Sequence, residues 1–267
     1  MTAFLTTGIG SMPRRSWLFS NQPGLDGKHD HYGTGGTWML PEKFLSTAQD
    51  DATIIAINLQ EKAGLDIITD GEQRRKNYVT YLTSNMNGFD YEKLKPKEMA
   101  GGRRTLLAGR CVGPITHQKS IIVKDLEFTL SKTEKPVKIT LPGPMTVVDS
   151  TVDEFYGNER EMAFAWARAI NQEAKLLDKL KPEVIQFDEP RFSRLPNKVE
   201  EWGIEALNIC VRGIQCKTAV HVCYGYPQPG LSRPINNSYE TIISLLEKSN
   251  VDQLALEFAG ANLDPSY

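Results

Sequence analysis

The stretch Thr218-Ala-Val-His-Val-Cys-Tyr-Gly225 predicts a short buried strand, because it is apolar and β-branched and ends at a glycine. Side chains two positions apart on a strand share a face, so we expect His221 and Cys223 to lie side by side near its end. An imidazole nitrogen and a thiolate at that separation suit Zn²⁺. Taken alone, the pair also fits simple burial, since free cysteine packs like a small hydrophobic residue.

Similar strands recur along the chain and alternate with helical segments, which predicts a parallel sheet with crossover helices. In a (β/α) barrel the carboxyl ends of the strands meet at one mouth, whereas a doubly wound sheet gathers its function at a switch point. The sequence therefore predicts an α/β fold of the (β/α)8 TIM-barrel type. The polar residues that end its strands are Ser11, Glu72, Asp188, His221 with Cys223, and Glu257.

The predicted organisation is a single barrel domain over residues 1–267 with a small antiparallel β insertion at about 90–136. Within the insertion, strands are expected at 106–108, 120–123 and 127–130. The segment Val251–Glu257 is interpreted as roughly the sixth of the eight core strands that a barrel needs. We therefore expect a barrel that is incomplete at its C-terminal end, with about two strand–helix units absent.

Composition argues against several classes of protein. The net charge is −2 and no basic run is present, so a nucleic-acid partner is not expected. No apolar run is long enough to cross a bilayer and no signal peptide is visible, so we expect a cytoplasmic protein without membrane contact. The four cysteines show no framework spacing. The loop from Met12 to Leu40 is expected to be a lid or binding segment, and its His29-Asp-His31 stretch to be solvated surface.

Six stretches of the chain carry a family resemblance. They are Thr6-Thr-Gly-Ile-Gly-Ser-Met-Pro13, Asp70-Gly-Glu-Gln-Arg-Arg75 with Tyr78-Val-Thr-Tyr81, Leu141-Pro-Gly-Pro-Met-Thr146, Gln186-Phe-Asp-Glu-Pro190, His221-Val-Cys-Tyr224 and Leu256-Glu257. In this order they resemble the catalytic barrel of cobalamin-independent methionine synthases, in its short core-type form. The resemblance implies a methyltransferase that moves a methyl group to the thiol of homocysteine.

The same resemblance implies that His221, Cys223 and Glu257 are zinc ligands. Coordination to Zn²⁺ removes the proton of a thiol, and the resulting thiolate can attack a methyl group. Cys210 and Cys216 are poor substitutes for a further thiolate, because they precede the strand that carries Cys223. We therefore expect at most three protein ligands from this chain, little zinc and little turnover.

The resemblance further implies that Asp188 and Glu72 hold the amino group of homocysteine as catalytic-site carboxylates, and that the Ile9-Gly10-Ser11 turn binds its carboxylate. Two carboxylates suit an ammonium group, whereas ion pairs with barrel arginines are the alternative. Asp188→Asn or Glu72→Gln is then expected to weaken homocysteine binding and to leave zinc in place.

The methyl donor is left open by the sequence. Full-length family members stack a tryptophan on the pterin of the donor, and the corresponding position here is Ser150. The donor is therefore expected to be methyltetrahydrofolate or a methylcorrinoid, free or carried by a corrinoid protein. The alternatives are another zinc-thiolate alkyltransferase on this barrel, of the coenzyme M type, a decarboxylase of the uroporphyrinogen type, or a non-catalytic zinc- or thiol-binding module.

Overall fold

The computed structural model describes residues 4–20, 36–99, 104–225, 235–236 and 238–266. The His29-Asp-His31 stretch lies outside these residues. The strands are β1 Phe19–Ser20, β2 Thr37–Trp38, β3 Asn87–Met99, β4 Arg104–Thr116, β5 Lys138–Pro142, β6 Val152–Asp153, β7 Val184–Asp188, β8 Lys217–Val222 and β9 Gln253–Leu256. The helices are α1 Glu42–Lys62, α2 Tyr78–Thr83, α3 Val123–Leu130, α4 Pro144–Ser150, α5 Glu159–Asp178, α6 Pro196–Lys198, α7 Ile204–Val211 and α8 Tyr239–Leu246, with a π turn at Val199–Gly203 and a 3₁₀ turn at Ala259–Ala261.

A parallel sheet forms the centre of the fold. Its strands follow the chain in the order β5-β7-β8-β9, and all three pairings are parallel. Two parallel bridges, Ile68 with Val137 and Thr7 with Ile67, extend the sheet on the β5 side. Sequential parallel order with intervening helices is the α/β topology that the sequence predicts. Among the described residues β9 pairs only with β8, and these residues form no closed ring of strands.

An amphipathic helix, α5, packs against this sheet. Helix α5 is the main helix between β5 and β7, and the side chain of Asn158 caps it by accepting a hydrogen bond of 3.1 Å from the N–H of Glu161. The buried face of α5 carries Trp166, whose indole N–H donates to the Pro142 carbonyl at 3.1 Å. This bond ties the helix to the end of β5, where the sheet presents its polar residues.

The segment after α2 contains an antiparallel hairpin of β3 and β4, with Phe89 opposite Cys111. The strand expected at 127–130 is wrong, because these residues belong to the helix α3. Ile122, Leu126 and Thr129 are buried at three- and four-residue spacing, which is the helical period and not the alternation of a strand. The strand expected at 120–123 is also wrong, since the N–H groups of Ile121 and Ile122 donate to the carboxylate of Glu173.

The loop from Met12 to Leu40 is described at its two ends only. There β1 and β2 pair antiparallel, with Phe19 opposite Trp38. Leu18 is fully buried and forms a small apolar cluster with Ala48 and Ala52 of α1. Over the described residues, none of the helices combines the length and the apolar character that a membrane span requires.

Candidate active site

His221 and Asp188 lie side by side at the carboxyl ends of β8 and β7. The register pairs the two residues, and the imidazole Nδ1 is 3.0 Å from the Asp188 Oδ1. Both side chains are mostly buried, at 14% and 10% exposure. Because a carboxylate only accepts hydrogen bonds, Nδ1 donates to Asp188, which leaves Nε2 as the ring nitrogen that could bind a metal. This is the arrangement in which a carboxylate orients a metal-binding histidine.

The thiol of Cys223 contacts the same imidazole. The two side chains are close enough for Cys223 to raise the pKa of His221, as their shared strand face makes possible. Burial by itself lowers the pKa of His221, but the interactions with Asp188 and Cys223 outweigh that effect and raise the pKa to about 10. Two of the three expected zinc ligands are therefore in contact.

The third expected ligand, Glu257, follows β9 at the same end of the sheet. Its backbone N–H donates to the Val222 carbonyl at 3.2 Å, and its Oε2 accepts a 2.8 Å hydrogen bond from the N–H of Tyr224. The nitrogen, sulfur and oxygen donors of the three residues are the types that Zn²⁺ takes. Over the described part of the chain, however, no three His, Cys, Asp or Glu side chains converge on one point as a metal site.

Glu72 is buried at the end of the strand segment that contains Ile67 and Ile68. Its backbone is left-handed, with φ of 53°, and its N–H donates to Asp70 Oδ1 at 2.9 Å. The Oε1 atom accepts a 2.7 Å hydrogen bond from the Thr140 hydroxyl and lies 3.6 Å from the Arg75 guanidinium. Burial raises the pKa of Glu72, and the charge of Arg75 opposes that rise. The ion pair with a barrel arginine is thus present at Glu72, whereas Asp188 contacts His221.

The turn Ile9-Gly10-Ser11 is tied down through its carbonyl groups. The Ile9 carbonyl accepts a 3.0 Å hydrogen bond from Gln186, and the Gly10 carbonyl accepts one of 3.0 Å from the Thr69 hydroxyl. A trans peptide directs its N–H opposite to its carbonyl. The N–H groups of Gly10 and Ser11 therefore point away from these anchors, and neither donates to a protein acceptor within the described residues.

Three buried residues that hold these groups were missed by sequence reasoning, namely Gln186, Thr140 and Arg75. Gln186 donates to Asp188 Oδ1 at 2.8 Å in addition to Ile9. It stands two residues before Asp188 and pairs with Thr140 of β5, so strand parity could have indicated both. Arg75 follows a turn, where no periodicity points to a partner.

Glu189, next to Asp188, binds the neighbouring helix α4. Its carboxylate accepts hydrogen bonds from the N–H groups of Met145 and Thr146, both at 2.9 Å, and from the Thr146 hydroxyl at 2.8 Å. Burial raises the pKa of Glu189 to about 8, against the opposing effect of these hydrogen bonds. The Gly143 N–H donates to the Asp188 carbonyl at 2.9 Å. Glu189 thus fixes the turn beside the site.

Ser150, where the resemblance leads us to expect a tryptophan, is 1% exposed at the end of α4. Its hydroxyl donates to the Thr146 carbonyl one turn earlier, at 2.5 Å. The side chain therefore lies against its own helix and offers no surface on which a ring could stack.

Known proteins resemble this chain over nearly its whole length. The family profile described as "Cobalamin-independent synthase, Catalytic domain" matches residues 4–264. A curated methionine synthase from Sulfurisphaera tokodaii is 32% identical over 262 residues, which cover 97% of this chain and 70% of that protein.

Solved structures give the same result. A B12-independent methionine synthase from Shewanella sp. W3-18-1, determined in complex with selenomethionine, superimposes with a TM-score of 0.85 at 34% identity, covering 97% of this chain and 74% of that one. A putative vitamin-B12-independent methionine synthase from Listeria monocytogenes shares the fold, with a TM-score of 0.63 at 18% identity over 81% of this chain and 64% of that one. These matches confirm the predicted α/β fold of TIM-barrel type. The chain belongs to the cobalamin-independent methionine synthase family, matches the catalytic domain of that family, and is an enzyme of the methyltransferase class.

Proposed function

We propose that the chain transfers a methyl group to the thiol of homocysteine at the ends of β7 and β8, using Zn²⁺ held by His221, Cys223 and Glu257. The observation that carries this proposal is the 3.0 Å contact between His221 and Asp188. It supports the proposal because an imidazole is a common zinc ligand and the neighbouring carboxylate suits the substrate ammonium. Bound Zn²⁺ would keep the substrate thiol deprotonated. The protein's own residues then bind and orient the rest of homocysteine.

Asp188 and Glu72 support an ammonium site. Asp188 uses Oδ1 to accept from Gln186 and His221, and Glu72 uses Oε1 to accept from Thr140. The second oxygen of each carboxylate has no hydrogen-bond partner within the described residues. An ammonium group has three N–H donors, so it can satisfy both oxygens while its charge offsets the cost of burying them.

The turn Ile9-Gly10-Ser11 supports a site for the substrate carboxylate. Hydrogen bonds to its carbonyl groups fix the turn, and the N–H groups of Gly10 and Ser11 remain as donors. Gly10 lies close to the ammonium site, because a Cβ atom at this position would be 3.2 Å from Glu72 Oε1. An α-amino acid carries its ammonium and its carboxylate on one carbon. A pair of carboxylates next to a pair of N–H donors therefore suits both groups.

For the methyl donor, we propose a methylcorrinoid in preference to methyltetrahydrofolate, either free or on a corrinoid protein. The reason is Ser150, whose small buried side chain replaces an aromatic surface for a pterin. Coenzyme M is a poorer acceptor in this proposal, because its sulfonate would face two carboxylates and has no ammonium to pair with them.

The test combines metal content and turnover. Zinc-loaded protein is incubated with homocysteine and either methylcobalamin or methyltetrahydrofolate, and methionine is quantified by mass spectrometry. We expect methionine from methylcobalamin at the higher rate, and none after zinc is removed by a chelator. Methylation of coenzyme M instead of homocysteine would refute the ammonium site. Homocysteine binding without methionine from either donor would show a thiol-binding module.

A further inference from the structure

Thr140 occupies a special position, because it contacts both Glu72 and Arg75. It lies in β5 at 2% exposure. The Nη1 atom of Arg75 is 2.9 Å from the Thr140 carbonyl oxygen and 3.0 Å from its hydroxyl oxygen. The hydroxyl oxygen is in turn 2.7 Å from Glu72 Oε1.

The direction of these hydrogen bonds follows from the chemistry of the groups. A guanidinium can only donate, so the Thr140 oxygen accepts from Arg75. The hydroxyl has one proton, which must therefore go to Glu72 Oε1. Arg75 is fully buried and is also held by Asp70, at 3.4 Å. The buried Arg75 guanidinium thus directs the hydroxyl proton of Thr140 to one carboxylate oxygen of Glu72.

This arrangement leaves Glu72 with one oxygen engaged and one available. Glu72 also has a left-handed backbone, with φ of 53°, a conformation that a residue with a Cβ adopts only when its surroundings hold it. The backbone of Gly10 packs against Thr140, since a Cβ atom at Gly10 would lie 2.9 Å from the Thr140 methyl group. The carboxylate is therefore fixed by its neighbours before any ligand arrives.

We infer that Thr140 is a positioning residue that makes the site selective for thiols carrying an α-ammonium group, by holding Glu72 with its second oxygen directed at the ligand. The inference rests on the proposed homocysteine function. It assigns a role to Thr140 and a basis for substrate selectivity. The substrate ammonium binds Glu72, which the hydrogen bonds from Arg75 through Thr140 hold in place. A thiol acid without the amino group has no ammonium to bind there, so these hydrogen bonds do not increase its affinity.

The test measures binding of two thiols to Thr140→Val, Thr140→Ser and the unchanged protein. Homocysteine is compared with 4-mercaptobutanoate, which keeps its thiol and carboxylate and lacks its amino group. We expect Thr140→Val to weaken homocysteine about tenfold, as for a lost hydrogen bond to a charged group, and to leave 4-mercaptobutanoate unchanged. Thr140→Ser retains the hydroxyl and should restore the selectivity.

Thr218→Val is the matched control. Thr218 is also a buried strand threonine whose hydroxyl donates to an aspartate, Asp252, at 2.9 Å. It lies two strands away and one register level before Thr140, so strand parity directs its side chain to the other face of the sheet. Its loss should leave the ratio of the two affinities unchanged. Equal weakening of both thiols by Thr140→Val, or no rescue by serine, would overturn the inference. If the unchanged protein does not prefer homocysteine, the proposed ammonium site itself fails, which is a different result.

Discussion

The imidazole Nδ1 of His221 and the Oδ1 of Asp188 are 3.0 Å apart, so one carboxylate contacts an expected metal ligand at the edge of the expected substrate site. Gln186 donates to the same Oδ1 atom at 2.8 Å. Orientation of the imidazole and recognition of the substrate are therefore coupled through Asp188, and the two effects of a substitution there should be measurable separately.

Asp188→Asn is expected to weaken both zinc and homocysteine binding, each by about tenfold. Zinc binding weakens because the carboxylate that orients His221 is lost. Homocysteine binding weakens because the substrate ammonium loses a charged partner. This differs from the expectation based on sequence, in which the zinc is unaffected. Competition with a metal indicator and titration with homocysteine give the two affinities.

Glu72→Gln is the control for that change, because Glu72 contacts Thr140 and Arg75 and neither of these is an expected ligand. It should weaken homocysteine and spare zinc. Zinc binding that is identical in the two variants would show that Asp188 does not support the imidazole.

Cys223→Ser is expected to reduce the zinc content of the purified protein severalfold, since a hydroxyl is a much poorer zinc ligand than a thiolate. Cys216→Ser is the matched control, because Cys216 is also partly exposed but precedes β8 at the other end of the sheet. Elemental analysis after dialysis measures both. Equal zinc in the two variants would remove Cys223 from the ligand set.

Gly143→Ala is expected to lower the free energy of unfolding by about 2 kcal/mol or more, as for overpacking of a buried site. A Cβ atom at this position would lie 2.4 Å from the carboxyl carbon of Glu189. That carboxylate cannot turn away without losing its bonds to Met145 and Thr146.

Gly113→Ala provides the comparison for Gly143→Ala, because the nearest atom to a Cβ there is 3.9 Å away, in Gly88. Urea denaturation of the two variants should separate them clearly. A Gly143→Ala protein as stable as Gly113→Ala would mean that Glu189 is not held as described.

The sequence predicted the sheet well because strand ends and helix periods are local signals. The placement of Asp188 beside His221 follows from parallel register once the strands are known. What it did not predict depends on contacts between distant segments. Arg75 donates to Thr140, which is 65 positions away in the sequence. One carboxylate oxygen of Glu257 accepts a hydrogen bond from the N–H of Tyr224. No rule of residue spacing predicts either contact. The helix α3 was mistaken for strand because short apolar runs carry both periods.

The buried Lys138 lowers the stability of the folded state, and the sequence did not predict its burial. It begins β5 at 3% exposure, and its side chain shares the face of Thr140 two positions on. Burial lowers the pKa of Lys138 to about 8, against the opposing attraction of Asp188. A lowered pKa means that the folded state disfavours the charged ammonium relative to the unfolded chain.

Lys138→Met is therefore expected to stabilise the protein by roughly 3 kcal/mol at neutral pH, the equivalent of the pKa difference between folded and unfolded states. The penalty is complete below about pH 8, where lysine is charged in both states, and it fades toward pH 10.5 as the unfolded lysine also loses its proton. Urea unfolding at pH 7 and pH 10 should show the gain shrinking. Lys217→Met is the control: Lys217 stands at the same level of β8 but pairs with Glu183 at 2.5 Å on the surface, so its loss should bring no gain. A benefit from Lys138→Met that is independent of pH would assign the effect to packing and not to the buried charge.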